Sequence, residues 1–110
     1  MDLAPYSKYD ENKPKLSTVP TDVLNDVAKA FTYGANKYGK YNYSSGMDYS
    51  RLYDAAQRHL NAYWSGEDID ESTNHHLDHA IASLFMLKHM INQKVGTDDR
   101  NKIYNNLKEQ

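Results

Sequence analysis

"STNHHLDHAIASLFML", residues 72–87, decides the fold, because a polar entrance rich in histidine runs straight into an almost unbroken apolar segment. Leu77, Ala80, Ile81, Leu84, Phe85, Leu87 and Ile91 spread over more than one helical stripe, and Ala82, Met86 and Met90 fill the remaining side. The pattern predicts a helix capped by Ser72 or Thr73 and running to about Gln93, where "VGT" stops it. A helix that is apolar all round must be covered all round. A chain of 110 residues has few helices to do that, so a second subunit is expected on one side.

Working outward, Val23, Leu24, Val27, Ala28, Phe31 and Ala35 draw an apolar stripe on an earlier helix. Thr21 or Asp22 is its expected cap, and its end falls between Tyr33 and Gly39. After the loop "GKYNYSSGMD", Asp48 or Ser50 caps a second helix to about Trp64, with Leu52, Ala55, Ala56, His59, Leu60 and Tyr63 on one side. His59 therefore faces inward. The closing segment "TDDRNKIYNNLKEQ" starts a short helix at Thr97, and residues 1–19, with Pro5 and Pro14, form an extended arm. The expected fold is all-α: a compact bundle of three main helices plus a short C-terminal helix, with one helical domain over 20–110.

A formal net charge of −2 with 25% charged residues marks no nucleic-acid polymer or anionic membrane as a partner. The absence of cysteine excludes disulfides and thiolate metal sites, and it fits a reducing compartment. Neither an export signal nor an apolar run of membrane-spanning length is visible. The cytoplasm is the expected location.

Two stretches carry chemistry. In the first, His76 and His79 share one edge of the third helix, while His75 and Asp78 point further round. Upstream, "SGEDIDEST" supplies Glu67 and Asp70, and the second helix sends His59 inward with Arg58 beside it. Glu67, Asp70, His76 and His79 are the candidate ligands of a metal ion, Mg²⁺ or Mn²⁺, that keeps waters and takes phosphate oxygens. The plainer readings are that Asp70 and Glu71 serve the helix dipole, His59 is a satisfied core histidine and His75 a solvated first-turn residue.

The second stretch is "TYGANKYGKYNY", residues 32–43. Its glycines admit close backbone approach, Lys37 and Lys40 suit phosphate, and Tyr33, Tyr38, Tyr41 and Tyr43 offer faces for a base. It is neither a P-loop nor a dinucleotide-binding turn, because the glycine spacing of the one and the preceding strand of the other are missing. A tyrosine-rich packing loop is the plainer alternative.

Read together, "KYDENKPKLSTVP", "TYGANKYGKYN", "RLYDAAQRHL", "SGEDID" and "HHLDHA" resemble the dATP/dGTP diphosphohydrolase N-terminal domain family of phages over roughly residues 8–90. The resemblance implies nucleoside triphosphate pyrophosphohydrolysis, related in outline to all-α pyrophosphatases that hold Mg²⁺ on helical carboxylates. It carries ligand contact onto Lys8, Lys13, Gly34, Lys37, Tyr38, Asn42, Arg58, His59, His76 and His79, with Glu67, Asp70 and Arg58 as catalytic residues. Tyr43 stands where the family block has a tryptophan. The pattern also departs from those pyrophosphatases, since Glu67 and Asp70 make an ExxD in a loop and no helical ExxE precedes it. Two functions are therefore expected: a metal-dependent purine deoxynucleoside triphosphate pyrophosphohydrolase, or a catalytically silent anti-defence sponge that sequesters cyclic nucleotide immune signals. A purely structural helical oligomer is disfavoured by the cost of burying its polar groups. An HD-type phosphohydrolase is disfavoured because "HHLDHA" holds Asp-His rather than His-Asp.

Overall fold

The computed structural model describes residues 11–102. Three helices dominate: α1 (Thr21–Tyr38), α2 (Tyr49–Trp64) and α3 (His76–Gln93), with short 3-10 turns at Leu16–Thr18 and Asn42–Ser45. Among the described residues there is no strand, only two isolated bridges, Asp48 with Thr97 and Ile69 with His75. The expected all-α architecture and the ends of all three helices are found.

The helix starts differ from expectation. Pro20 stands at the start of α1 with no side-chain cap, and Thr21 and Asp22 lie inside the helix. Asp48 occupies the cap position of α2 without bonding to it. That duty passes to Asp99, whose carboxylate accepts from the Ser50 N–H at 3.0 Å and the Ser50 hydroxyl at 2.5 Å. At α3 the cap is His75, whose Nδ1 accepts the Leu77 N–H at 3.0 Å, because Ser72 and Thr73 belong to a turn organised by Asp70. His75 also packs against Tyr63, with ring centroids 5.6 Å apart, and is not simply solvated.

Two further expectations change. Thr97 starts no helix over the described residues to Lys102; it pairs instead with the loop before α2, donating to the Met47 carbonyl and accepting from the Tyr49 N–H. Residues 103–110 lie outside the described residues. The arm is exposed over 11–19 but includes the Leu16–Thr18 turn, so it is not extended throughout.

The packing order explains where a cavity can form. α3 is the central helix, packed most extensively on α2 and next on α1, whereas α1 and α2 have no extensive contact with each other. Small residues set these approaches: Ala30, Ala56, Ala80 and Ala82 are all buried, beside Val27, Leu52 and Met90. Phe31 and Ile81 close over Val27, Ala30 and Ala82, and Phe31 meets Phe85 edge to face at 6.2 Å. Val23 and Leu24 on α1, and Leu84, Phe85 and Ile91 on α3, remain between 41% and 51% exposed. Three helices do leave one side of the apolar α3 uncovered.

Behind α3 the chain turns at Lys94, in the left-handed region, and then at Gly96, whose φ is 83°. A Cβ at Gly96 would stand 2.7 Å from the Met47 carbonyl oxygen, and one at Gly46 would stand 2.8 Å from the Gly96 nitrogen. Backbone thus packs on backbone where the loop before α2 meets the exit from α3. Gly96→Ala is expected to destabilise the fold by more than about 1 kcal/mol, combining a positive φ with a backbone clash. Thermal unfolding checks this, with a lowered Tm as the expected result.

Candidate functional site

The loop between α2 and α3 is acidic but firmly built. Asp70 N–H donates to the Asn74 carbonyl at 2.8 Å, Thr73 N–H to the Asp70 carbonyl at 2.9 Å, and His76 N–H to the Asp68 carbonyl at 2.8 Å. Ser72 N–H adds a bond to Asp70 Oδ2 at 3.0 Å. These bonds fold the loop back over the first turn of α3, so the Asp70 carboxylate faces the histidines instead of capping the helix.

Three imidazoles from two helices meet there. His59 on α2 stacks on His79 with ring centroids 4.8 Å apart, and its Nδ1 lies 2.9 Å from Nδ1 of His76. Asp70 Oδ1 stands 4.0 Å from His59 Nδ1 and 3.9 Å from His76 Nδ1. The triangle of those three atoms has its circumcentre about 2.1 Å from each corner, within the ordinary bond length of a divalent ion to imidazole nitrogen and carboxylate oxygen.

The protonation pattern agrees with that use. His76 Nε2 donates to Glu67 Oε1 at 3.1 Å, which fixes the proton on Nε2 and leaves Nδ1 bare. Glu67 therefore stands on the far side of His76 from the triangle and orients the ring, whereas the sequence suggested Glu67 as a ligand. His79 Nε2 accepts from the Ser72 hydroxyl at 2.7 Å and lies 3.7 Å from Asp70 Oδ2, at the edge of the triangle. His59, expected only to contact ligand, joins Asp70 and His76 instead. Two imidazole nitrogens with one carboxylate oxygen suit Mn²⁺ or a neighbouring transition ion better than Mg²⁺, which prefers oxygen.

Burial shifts these groups. Loss of water lowers the pKa of His59, with His79 adding and Asp70 opposing. For His79 burial is again the first cause of a lowered pKa, and Asp70 opposes it. Burial pushes the Asp70 carboxyl up, but bonds from Ser72 and the nearby His79 and His59 outweigh it and hold it below the ordinary value.

The cluster opens onto a cavity of about 680 Å³ between α1, α2 and α3. Its walls include His59, Asp70 and His79 from the cluster, and Gly34, Lys37, Tyr38, Asn42 and Arg58 from the sequence-derived set. His76 and Glu67 lie behind that wall. Lys37 Nζ sits 5.8 Å from the Tyr33 ring centre and 5.1 Å from that of Tyr38. Lys13 is exposed and does not line the cavity, and Lys8 lies outside the described residues. Gly34 is helical, and its use is space, since a Cβ there would meet nothing within 4 Å. The sequence reading missed Arg51, Ser72, Ser83 and Met86, whose types are too common on helices and in loops to signal a site.

The all-α domain thus carries a basic, tyrosine-flanked cavity that ends in a histidine–carboxylate cluster. The chain belongs to the family described as dATP/dGTP diphosphohydrolase, N-terminal, whose model matches residues 4–100. A dATP/dGTP diphosphohydrolase of Salmonella phage PMBT28 is 33% identical over 94 residues, covering 84% of this chain and 32% of the relative. The chain thus spans about a third of that protein's length. No solved structure matches it. Among the described residues no helix is long and apolar enough to cross a membrane.

The lowered His59 and His79 pKa values give a signed pH dependence. Unfolded imidazoles take up protons near pH 6.5, and the folded rings do so only at lower pH. Below about pH 6.5 the unfolded chain therefore binds more protons, and the stability of the metal-free protein falls until the folded rings also titrate. Urea denaturation of chelator-treated protein at pH 7.5 and 5.5 is expected to show the lower midpoint at pH 5.5. A double His59→Gln, His79→Gln variant should narrow that difference.

Proposed function

We propose that the cavity binds a purine deoxynucleoside triphosphate and that the cluster at its end hydrolyses it between the α and β phosphates. The supporting observation is the convergence of His59 Nδ1, His76 Nδ1 and Asp70 Oδ1 around one point at metal-bonding distance. The substrate class rests on the family and on the name of the phage relative, with which this chain shares only part of its length.

In this reading His59, Asp70 and His76 hold the ion, and Glu67 is a positioning residue that acts through His76. A divalent ion bound there would neutralise phosphate charge and lower the pKa of a water molecule it carries. Water adds to the α-phosphorus, the bond from that phosphorus to the α,β-bridging oxygen breaks, and pyrophosphate leaves beside a nucleoside monophosphate. His79, whose pKa burial lowers, takes up the proton at Nε2 through the Ser72 hydroxyl, which passes its own proton on and gains that of the water. Arg58, Arg51 and Lys37 line the cavity and counter the charge that builds on the departing pyrophosphate. Tyr38 and Asn42 flank the rim. The proposal includes a second copy of the chain over the exposed apolar side of α3 and action in the cytoplasm of the host cell.

One observation favours the silent alternative. Asp70 and Glu71 are the only carboxylates on the cavity wall among the described residues, whereas three cationic side chains beyond Lys40 and several tyrosines suffice for capture. Sequestration of a cyclic nucleotide signal needs nothing more.

Incubating the full chain with a mixed nucleotide pool, with and without Mn²⁺, separates the two by mass spectrometry of the products. The hydrolase reading expects purine deoxynucleoside monophosphate and pyrophosphate only with the metal. Intact nucleotide released on heating, with no conversion under any metal, supports capture and removes the hydrolase. Gly34→Ala adds a second check: the substitution favours the helix by about 0.5–1 kcal/mol and fills cavity space. It is expected to raise Tm while weakening nucleotide binding in a titration.

A further inference from the structure

The cavity is lined by two chemically different sets of side chains, with Arg51 beside Leu52 on α2. The polar set includes Asp70, Arg58, His59 and His79, and the apolar wall is built from Phe31, Leu52, Ala82 and Met86. Within that apolar wall stands one hydroxyl, that of Ser83, on a residue only 5% exposed.

A serine inside a helix ordinarily satisfies its hydroxyl on the carbonyl four residues back. Thr32 does so on α1, donating to the Ala28 carbonyl at 2.9 Å. Ser83 has no hydrogen-bond partner among the described residues, and its hydroxyl faces the cavity. Among the described residues no side-chain polar atom is buried without a partner, so this hydroxyl is open to water in the cavity, and a ligand that displaces the water loses affinity unless it replaces that bond. Ser83 follows His79 by one helical turn, roughly 6 Å along α3. A ligand whose phosphates reach His79 and Asp70 therefore lays its organic part over Ser83.

We propose that the apolar wall is a purine subsite and that the Ser83 hydroxyl hydrogen-bonds the 6-position of the base. The inference rests on the nucleotide reading above and deepens it. A serine hydroxyl donates one hydrogen bond and accepts others, and its proton rotates to suit. It accepts from a 6-amino group and donates to a 6-oxo group with no change in the protein. The site thereby takes aminopurines and oxopurines alike, and it discriminates against a purine with neither substituent.

The test measures binding of non-hydrolysable α,β-methylene triphosphates of deoxyadenosine, deoxyguanosine and unsubstituted purine deoxyriboside to the full chain by calorimetry. The wild-type chain is expected to prefer both 6-substituted ligands by roughly 10-fold, the worth of one neutral hydrogen bond. Ser83→Ala is expected to erase that preference while binding Co²⁺ as the wild type does. A preference that survives in Ser83→Ala, or its absence in the wild type, overturns the subsite. Failure of hydrolysis with the Ser83-dependent preference intact removes the enzyme reading alone. Hydrolysis with base preference indifferent to Ser83 removes this inference alone.

Discussion

Two ring nitrogens from different helices, His59 Nδ1 and His76 Nδ1, approach to 2.9 Å, and the rest of the site is arranged around that contact. Two lone pairs cannot face each other at that distance; a proton or a cation must lie between them. Glu67 decides which ring is bare, because its bond to His76 Nε2 holds the proton there. Without an ion, His59 must donate through Nδ1. With one, both nitrogens and Asp70 Oδ1 are already at ligand positions. The interaction also constrains the fold, since it pins the first turn of α3 against the third turn of α2.

The geometry of that pin follows from the folded loop, residues 65–75, that joins the two helices. Backbone bonds at Asp68, Asp70 and Asn74 fold it tightly enough that Asp70 turns inward beside the rings. α3 then runs between α1 and α2, and because those two scarcely touch, the space between them becomes the cavity. Gly34 keeps its wall clear and Ser83 marks its apolar side. The histidine–carboxylate triangle and the cavity beside it are thus consequences of one packing order.

Much of the fold was legible because helical periodicity is a strong signal. The continuous apolar content of residues 77–91 announced a central helix, the glycine after Val95 announced its end, and the glycine after Tyr38 announced the end of α1. The helix starts were less legible. A histidine cap at α3 and a cap for α2 supplied by Asp99 depend on long-range placement that no local pattern encodes. The same holds for the site. The sequence gathered Asp70, His59, His76 and His79 correctly into one region, and the periodicity of α2 turned His59 inward. It could not say which imidazole nitrogen faces which partner, so Glu67 was read as a ligand although its carboxylate addresses the outer nitrogen of His76. Ser83 was invisible for another reason, since nothing local tells whether a helical serine bonds its own helix or faces a cavity.

The most direct measurement is long-range ¹H–¹⁵N correlation of the histidine rings in ¹⁵N-labelled protein, metal-free and loaded with Zn²⁺ as a diamagnetic probe. The account predicts one ion per chain, with Nδ1 of both His59 and His76 moving to metal-bound shifts and His76 Nε2 remaining protonated. Ligation through Nε2 of His76, or ring shifts on His79 or His89 with His59 unchanged, would contradict it.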